Sequence, residues 1–299
     1  MGLLSKISNK IYRLLHPVVG EIWCLHRVVP NRSWALPNRE LEITPDYLEQ
    51  LILSYMGDGY CFVSLDSMVG NLKKMRWPWQ RKMVSISFDD GFRDIYEYAY
   101  PIFKKYNIPF TIYLTTAFPD GKAEIWWIQL EQLIANNTTL VVQDKEYQCR
   151  TEDEKSQLFN DLIQQICQSS DTPSRVFKLW FADYQMEADM ANIALAWDEL
   201  AEMLASGLLT VGSHTQSHPM LTKIPTDEVL TELKESKTII EQHLSVPVNH
   251  FSYPHSAYNM EIANELRLIG YKSATLGYGG VIRKGMEAMV LNRKYIVQG

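Results

Sequence analysis

The segment from Met83 to Leu114 constrains this chain more than any other. Met83 to Phe88 reads as a strand that stops on Asp89-Asp90-Gly91; a helix carrying Ile95, Tyr98, Ala99, Ile102 and Phe103 follows, and Phe110 to Leu114 reads as another strand. Strand, turn, helix and strand within about thirty residues make a βαβ unit, so the two strands are expected to be parallel neighbours with a right-handed crossover. Asp94 is placed to cap the helix, and Pro101 to kink or divide it.

The alternation continues on either side. Glu21 to Leu25 reads as a first buried strand that ends on His26, and Tyr60 to Leu65 as a second; Leu208 to Val211, Asn249 to Tyr253, Lys272 to Thr275 and Val290 to Ile296 supply the later ones. Helices are expected from Thr44 to Met56, with Thr44 as N-cap and Pro45 in the first turn, and from Asp66 to about Lys74. Two more run from Asp227 to Leu244 and from Asn259 to Ile269, the last closed by Gly270. Seven or eight strands alternating with helices predict an α/β fold, a distorted TIM-like (β/α) barrel of mostly parallel strands, over an open doubly wound sheet. No G-x-G-x-x-G or Walker pattern follows any strand, which counts against nucleotide-binding alternatives. Past residue 121 the alternation gives way to helical segments at 126–135, 152–168, 174–184 and 189–204. Residues of about 121–197 are read as a helical insertion walling the barrel mouth of a single domain that spans 1–299.

Hydrophobic residues make up 46% and charged residues 21% of the 299 positions, the balance of a folded chain and not of a disordered one. The formal charge of -6 and the lack of a Lys/Arg block argue against a phosphate-binding surface, so no nucleic-acid partner is expected. Cys24, Cys61, Cys149 and Cys167 form no C-x-x-C pair, which suits a reducing compartment. No run reaches the roughly 18 apolar residues of a membrane span, and the first residues lack the apolar centre of a secretory signal, so the expected location is the cytoplasm. Leu3, Leu4, Ile7, Ile11, Leu14 and Leu15 recur at helical spacing, with Lys6, Lys10 and Arg13 on much of the other side. Residues 1–16 therefore read equally as an amphipathic helix in peripheral contact with the inner membrane face and as one packed on its own domain.

The polar clusters fall at strand ends, which in a barrel converge on one mouth: His26, Asp89 with Asp90, His214 to His218, and Tyr253 to His255. Two adjacent carboxylates repel and are poor core residues, so a cation between them, most simply a metal, explains them best. The spacing of His214 and His218 puts both imidazoles on one side of a helical turn. Two histidines and one carboxylate leave metal positions open for water and substrate, which marks a catalytic site and suits zinc first, with cobalt, iron or nickel as alternatives. Trp126 and Trp127 offer rings that would stack on a sugar, although buried packing is the commoner use of either.

The run Ser85 to Asp94, the run Gly212-Ser213-His214-Thr215-Gln216-Ser217-His218-Pro219 and the run Phe251-Ser252-Tyr253-Pro254 together closely resemble the polysaccharide deacetylase family, the NodB-homology domain of carbohydrate esterase family 4. The resemblance extends from about Trp23 to Tyr295. It implies a metal-dependent hydrolase that removes N-acetyl groups from an amino sugar, with Asp89 as general base, Asp90, His214 and His218 as metal ligands, and the backbone N–H near Tyr253 as an oxyanion donor. A carboxylate beside a bound cation keeps a low pKa, so Asp89 is expected to be ionised near neutral pH. The chain departs from the family twice. Ser252 stands where many members carry an arginine, which leaves Asp89 to be tethered from elsewhere, with Arg293 as the candidate. No histidine follows His255, so the usual C-terminal acid is missing; His255 is the first substitute and His26 the second. Removal of a formyl group or an O-acetyl ester from a related sugar is the alternative chemistry, since pocket shape decides between them. A non-catalytic, metal-retaining carbohydrate-binding protein is the other alternative, and the retained Asp89 counts against it. A cytoplasmic location favours a lipid- or nucleotide-linked sugar as substrate over a finished polymer.

Overall fold

In a computed structural model that describes residues 15–32, 37, 39–74, 81–123, 125–184 and 193–299, seven strands follow one another around a closed ring. They are β1 (Val18–Leu25), β2 (Met83–Phe88), β3 (Phe110–Leu114), β4 (Leu209–Ser213), β5 (His250–Ser252), β6 (Ser273–Gly279) and β7 (Leu291–Tyr295). Every neighbouring pair is parallel, and β1 closes the ring by pairing with both β2 and β7. The cause lies in the strands themselves: β2 and β3 are buried at every position, and such runs need cover on both faces, which crossover helices supply. The closing seam is tight. A Cβ on Gly20 would lie 1.9 Å from the Met83 carbonyl oxygen, so only glycine lets β1 approach β2 this closely. Cys61–Phe62 adds two residues parallel to β2, shorter than the strand expected from Tyr60 to Leu65, and Val281–Arg283 runs antiparallel to β1.

The helices are α1 (Pro45–Gly57), α2 (Leu65–Gly70), α3 (Tyr100–Tyr106), α4 (Trp126–Asn136), α5 (Glu152–Gln168), α6 (Pro173–Trp180), α7 (Trp197–Ala205), α8 (Thr226–Leu244) and α9 (Met260–Ile269). Thr44 caps α1 by accepting the Tyr47 N–H at 3.2 Å, Asn259 caps α9 through the Ile262 N–H at 2.8 Å, and Gly270 ends α9 at φ 100°. Before Pro101 the chain winds one wide π turn, Ile95–Ala99, and then continues as α3. Asp94 does not cap it. Its carboxylate instead accepts the Arg27 Nε–H at 2.8 Å and the Val28 N–H at 3.1 Å, because a half-buried cation and a strand-end amide outcompete a local cap.

Between β3 and β4 lie α4 to α7, and the segment also holds an antiparallel hairpin, Thr139–Val142 with Lys145–Gln148. Its two turn residues, Gln143 and Asp144, both have positive φ (51° and 59°), the geometry of the tight turns usually signalled by Asn-Gly; with Gln-Asp in that place the signal was absent. Residues 1–14 of the amphipathic helix expected at 1–16, and the start of the helix expected at 189–204, lie outside the described residues. Among the described residues no helix is long and apolar enough to cross a membrane.

Candidate active site at the barrel mouth

Asp89 and Asp90 follow directly on β2, and the backbone separates their side chains. Asp90 has φ 73° and Gly91 φ 108°; a Cβ on Gly91 would come within 2.6 Å of the Leu114 side chain. Two successive left-handed residues turn the chain sharply enough to aim adjacent carboxylates at different partners. Asp89 meets Arg293 of β7 in a two-pronged pair, with Nη1 donating to Oδ1 at 2.7 Å and Nη2 to Oδ2 at 2.6 Å. The guanidinium also donates to the hydroxyls of Ser252 (2.9 Å) and Ser87 (3.2 Å) and to the Leu276 carbonyl (2.8 Å), so this buried cation is fully engaged. Ser252 is small enough to leave that place to an arginine arriving from another strand. Burial alone would raise the Asp89 carboxyl, but Arg293 outweighs it and holds Asp89 well below the usual carboxylate range.

Asp90 faces the histidines. Its Oδ1 lies 3.5 Å from His214 Nε2 and 3.3 Å from His218 Nε2, and the three ligand atoms are mutually within 4.8 Å. The spacing of the two histidines is not served by a helix. Residues 214–218 form a loop with positive φ at Thr215 (69°) and His218 (61°). Glu232 of α8 holds the loop, accepting the N–H groups of Gln216 (2.7 Å) and Ser217 (3.0 Å) and the Ser217 hydroxyl (2.5 Å). His214 Nδ1 lies 2.8 Å from the Ser252 carbonyl, which can only accept, so the proton sits on Nδ1 and the Nε2 lone pair faces Asp90. Burial lowers both imidazoles, His218 strongly, and so keeps them neutral. Burial, then the charge of Asp89, pushes Asp90 well above its ordinary range, and its Oδ1 has no hydrogen-bond partner. One carboxyl oxygen and two imidazole nitrogens thus converge with no hydrogen bond joining them, and a cation there would offset the burial and the Asp89 charge that disfavour an ionised Asp90; this is the donor set that fits a divalent cation.

A second group of potential ligands, Cys24, His26 and Asp89, sits alongside, and it does not fit a cation. Both Asp89 oxygens already accept guanidinium N–H groups, Arg293 repels a second positive charge, and burial lifts the Cys24 thiol to about 12. His26 lines the cavity on the Asp89 side, and burial lowers it to about 4. His255 lies on the other side, exposed at the rim, with φ 55° and its ring 4.7 Å from that of His218.

The backbone amide of Tyr253 already has a partner. Its N–H donates to the Thr275 carbonyl at 3.1 Å and its hydroxyl to the Met289 carbonyl at 2.9 Å, so β5 continues its ladder with β6 and this amide is not free to receive an oxyanion. The Tyr253 ring remains part of the cavity, which holds about 380 Å³. Its opposite wall comes from the insertion: Trp126 and Trp127 of α4, and Phe159 and Ile163 of α5. The contacts of Glu232 and Ser87 carried no signal in the sequence, because each is made only when distant elements meet.

The sequence model of the family described as polysaccharide deacetylase matches residues 78–274, a span that ends before Arg293. Among solved structures, the deacetylase PplD of Streptococcus pyogenes in complex with acetate is 20% identical, with a TM-score of 0.63 over 94% of this chain and 93% of that one. IcaB from Ammonifex degensii is 19% identical at a TM-score of 0.61, covering 94% and 92%. BC0361, a polysaccharide deacetylase from Bacillus cereus, is 18% identical at 0.61, covering 95% of this chain and 66% of that one. At these identities the structural likeness speaks for the barrel. Among curated proteins none matches the chain.

Proposed function

We propose, from the premise that this chain belongs to the polysaccharide deacetylase family, that it is a metal-dependent hydrolase removing N-acetyl groups from an amino sugar. One observation carries the reading: Asp90 Oδ1, His214 Nε2 and His218 Nε2 converge next to a carboxylate, Asp89, that Arg293 keeps ionised. Asp90, His214 and His218 would hold the cation, zinc suiting the mixed nitrogen and oxygen set. When bound, the cation supplies Lewis acidity toward the acyl carbonyl and acidifies water.

Asp89 takes the proton from the attacking water. Its Oδ2 already accepts from Arg293 and, at 3.3 Å, from the Ser252 hydroxyl, whereas Oδ1 accepts from Arg293 alone among the described residues, so Oδ1 keeps the lone pair for that proton. The amine must be protonated from a different direction. His255 is the acid this requires, since it adjoins His218 and not Asp89, and the negative charge of the tetrahedral intermediate raises its hold on a proton. His26, grouped with Asp89, orients that side of the cavity. Acetate and a free amine leave.

Metal analysis combined with acetate release from an N-acetylated amino-sugar oligosaccharide tests the proposal. The parent is expected to bind one divalent ion and release acetate, and Asp89→Asn to bind the ion with activity lower by about 10²–10⁴-fold. Bound metal with no acyl release from any sugar by the parent would replace the hydrolase with a binding protein.

A further inference from the structure

The two histidines of the triad are held in different ways. His214 donates Nδ1–H to the Ser252 carbonyl at 2.8 Å, the usual second bond that fixes a ligating imidazole. His218 has none: its Nδ1 is buried without a hydrogen-bond partner, and its backbone sits at φ 61°. What surrounds the ring is aromatic. It meets the rings of His214 at 4.8 Å, His255 at 4.7 Å and Trp127 at 4.8 Å, the last inclined by 43°. Trp127 is itself buried and braced edge-on by Trp126, which in turn packs on Phe177 of α6.

We propose that Trp127, a residue of the insertion and not of the barrel, is a positioning residue that sets the orientation of His218 for the cation, doing by ring packing what a hydrogen bond does for His214. An indole face is a weak acceptor for an N–H with no oxygen partner, and its rigid bulk restricts rotation of the imidazole. The insertion is thereby part of the metal site: α4 must be seated for the third ligand to point at the ion. The inference rests on the proposed metal triad, yet it needs no substrate to be tested.

Purified full-length chain is titrated with Co²⁺, following the d–d absorption spectrum, and the affinity is measured against a chelator. Trp127→Leu is expected to weaken binding by about 10–100-fold and to change the spectrum, and Trp127→Phe, which keeps a ring, to restore most of the affinity. Leu133→Ala, a comparable core loss farther along the same helix, should leave the spectrum as in the parent. Parental affinity and spectrum in Trp127→Leu would overturn the proposal, as would an equal loss in Leu133→Ala, which would mean that α4 acts only through stability. A parent that binds no Co²⁺ would overturn the triad and this inference together, whereas a parent that binds Co²⁺ but releases no acetate would sink only the deacetylase reading. Should Trp127→Leu not fold, Trp127→Met, which also removes the ring but fills more of the space, takes its place with the same outcomes: weakened binding and an altered spectrum support ring packing, and parental values refute it.

Discussion

Replacing Arg293 by methionine removes the guanidinium but keeps an unbranched apolar stem in a buried place. Asp89 then loses donors at 2.7 and 2.6 Å and stays in a site where it is 4% exposed. Breaking a buried ion pair from one side costs about 3–5 kcal/mol, because the remaining charge is left uncompensated. The protein can escape that cost by protonating Asp89, and at about 1.4 kcal/mol per pH unit the carboxyl moves up by about 2–4 units. The sign follows from linkage. In the parent, Asp89 lies below its unfolded value of about 3.9, so the pair stabilises the fold above that pH and the contribution fades as pH falls through the folded value. In Arg293→Met burial dominates, the folded value lies above the unfolded one, and stability instead declines as pH rises from about 4. The assay is kcat/KM for acetate release against pH, with bound metal by atomic emission and urea unfolding at pH near 7. The acid limb is expected to move up by about 2–4 pH units while Asp90, His214 and His218 keep the ion, and the unfolding free energy to drop by about 3–5 kcal/mol. Arg293→Lys keeps the charge but loses one charged hydrogen bond of the fork, so it should fall between the two at a cost of about 1.5–3 kcal/mol. A folded, metal-loaded Arg293→Met whose pH profile superimposes on the parent's would refute the role of this pair.

Asp90→Asn and His214→Ala are each expected to leave the purified protein without stoichiometric metal after dialysis, whereas Asp89→Asn keeps it; emission spectroscopy on the three variants checks the division of labour between the adjacent aspartates. His255→Gln should bind metal like the parent and lose about 10²–10⁴-fold in kcat, and an intact kcat would return the acid role to His26. Gly20→Ala places a methyl group 1.9 Å from the Met83 carbonyl oxygen at the barrel seam; a cost of at least about 1–3 kcal/mol, read as a lower melting temperature, is expected there.

The strands were legible because parallel barrel strands are buried on both faces and announce themselves as apolar runs: β2 and β3 span the residues that the pattern marks, Met83–Phe88 and Phe110–Leu114. Capping chemistry was legible for the same local reason at Thr44 and Gly270. Asp94 looked like a cap by the same rule, yet its partner Arg27 lies 67 positions away, and no local rule counts such a competitor. The hairpin at Thr139–Gln148 was hidden by a turn whose residues, Gln143 and Asp144, are not those that usually adopt it.

What the sequence by itself determined was the alternation that makes a barrel and the residue types at its mouth: two carboxylates after β2, two histidines after β4, and a histidine after β5. Their grouping follows from the fold class alone, since strand ends of a parallel barrel share one rim. Only the tertiary structure decided what each residue meets there. Arg293 is 204 positions from Asp89, and ring closure between β1 and β7 is what brings β7 to that side. Likewise the Tyr253 amide is taken because β6 lies beside β5, and His218 is flanked by Trp127 because the insertion folds back over the mouth. Charge state, donor availability and side-chain orientation depend on burial and on partners met through space, and spacing along the chain carries neither.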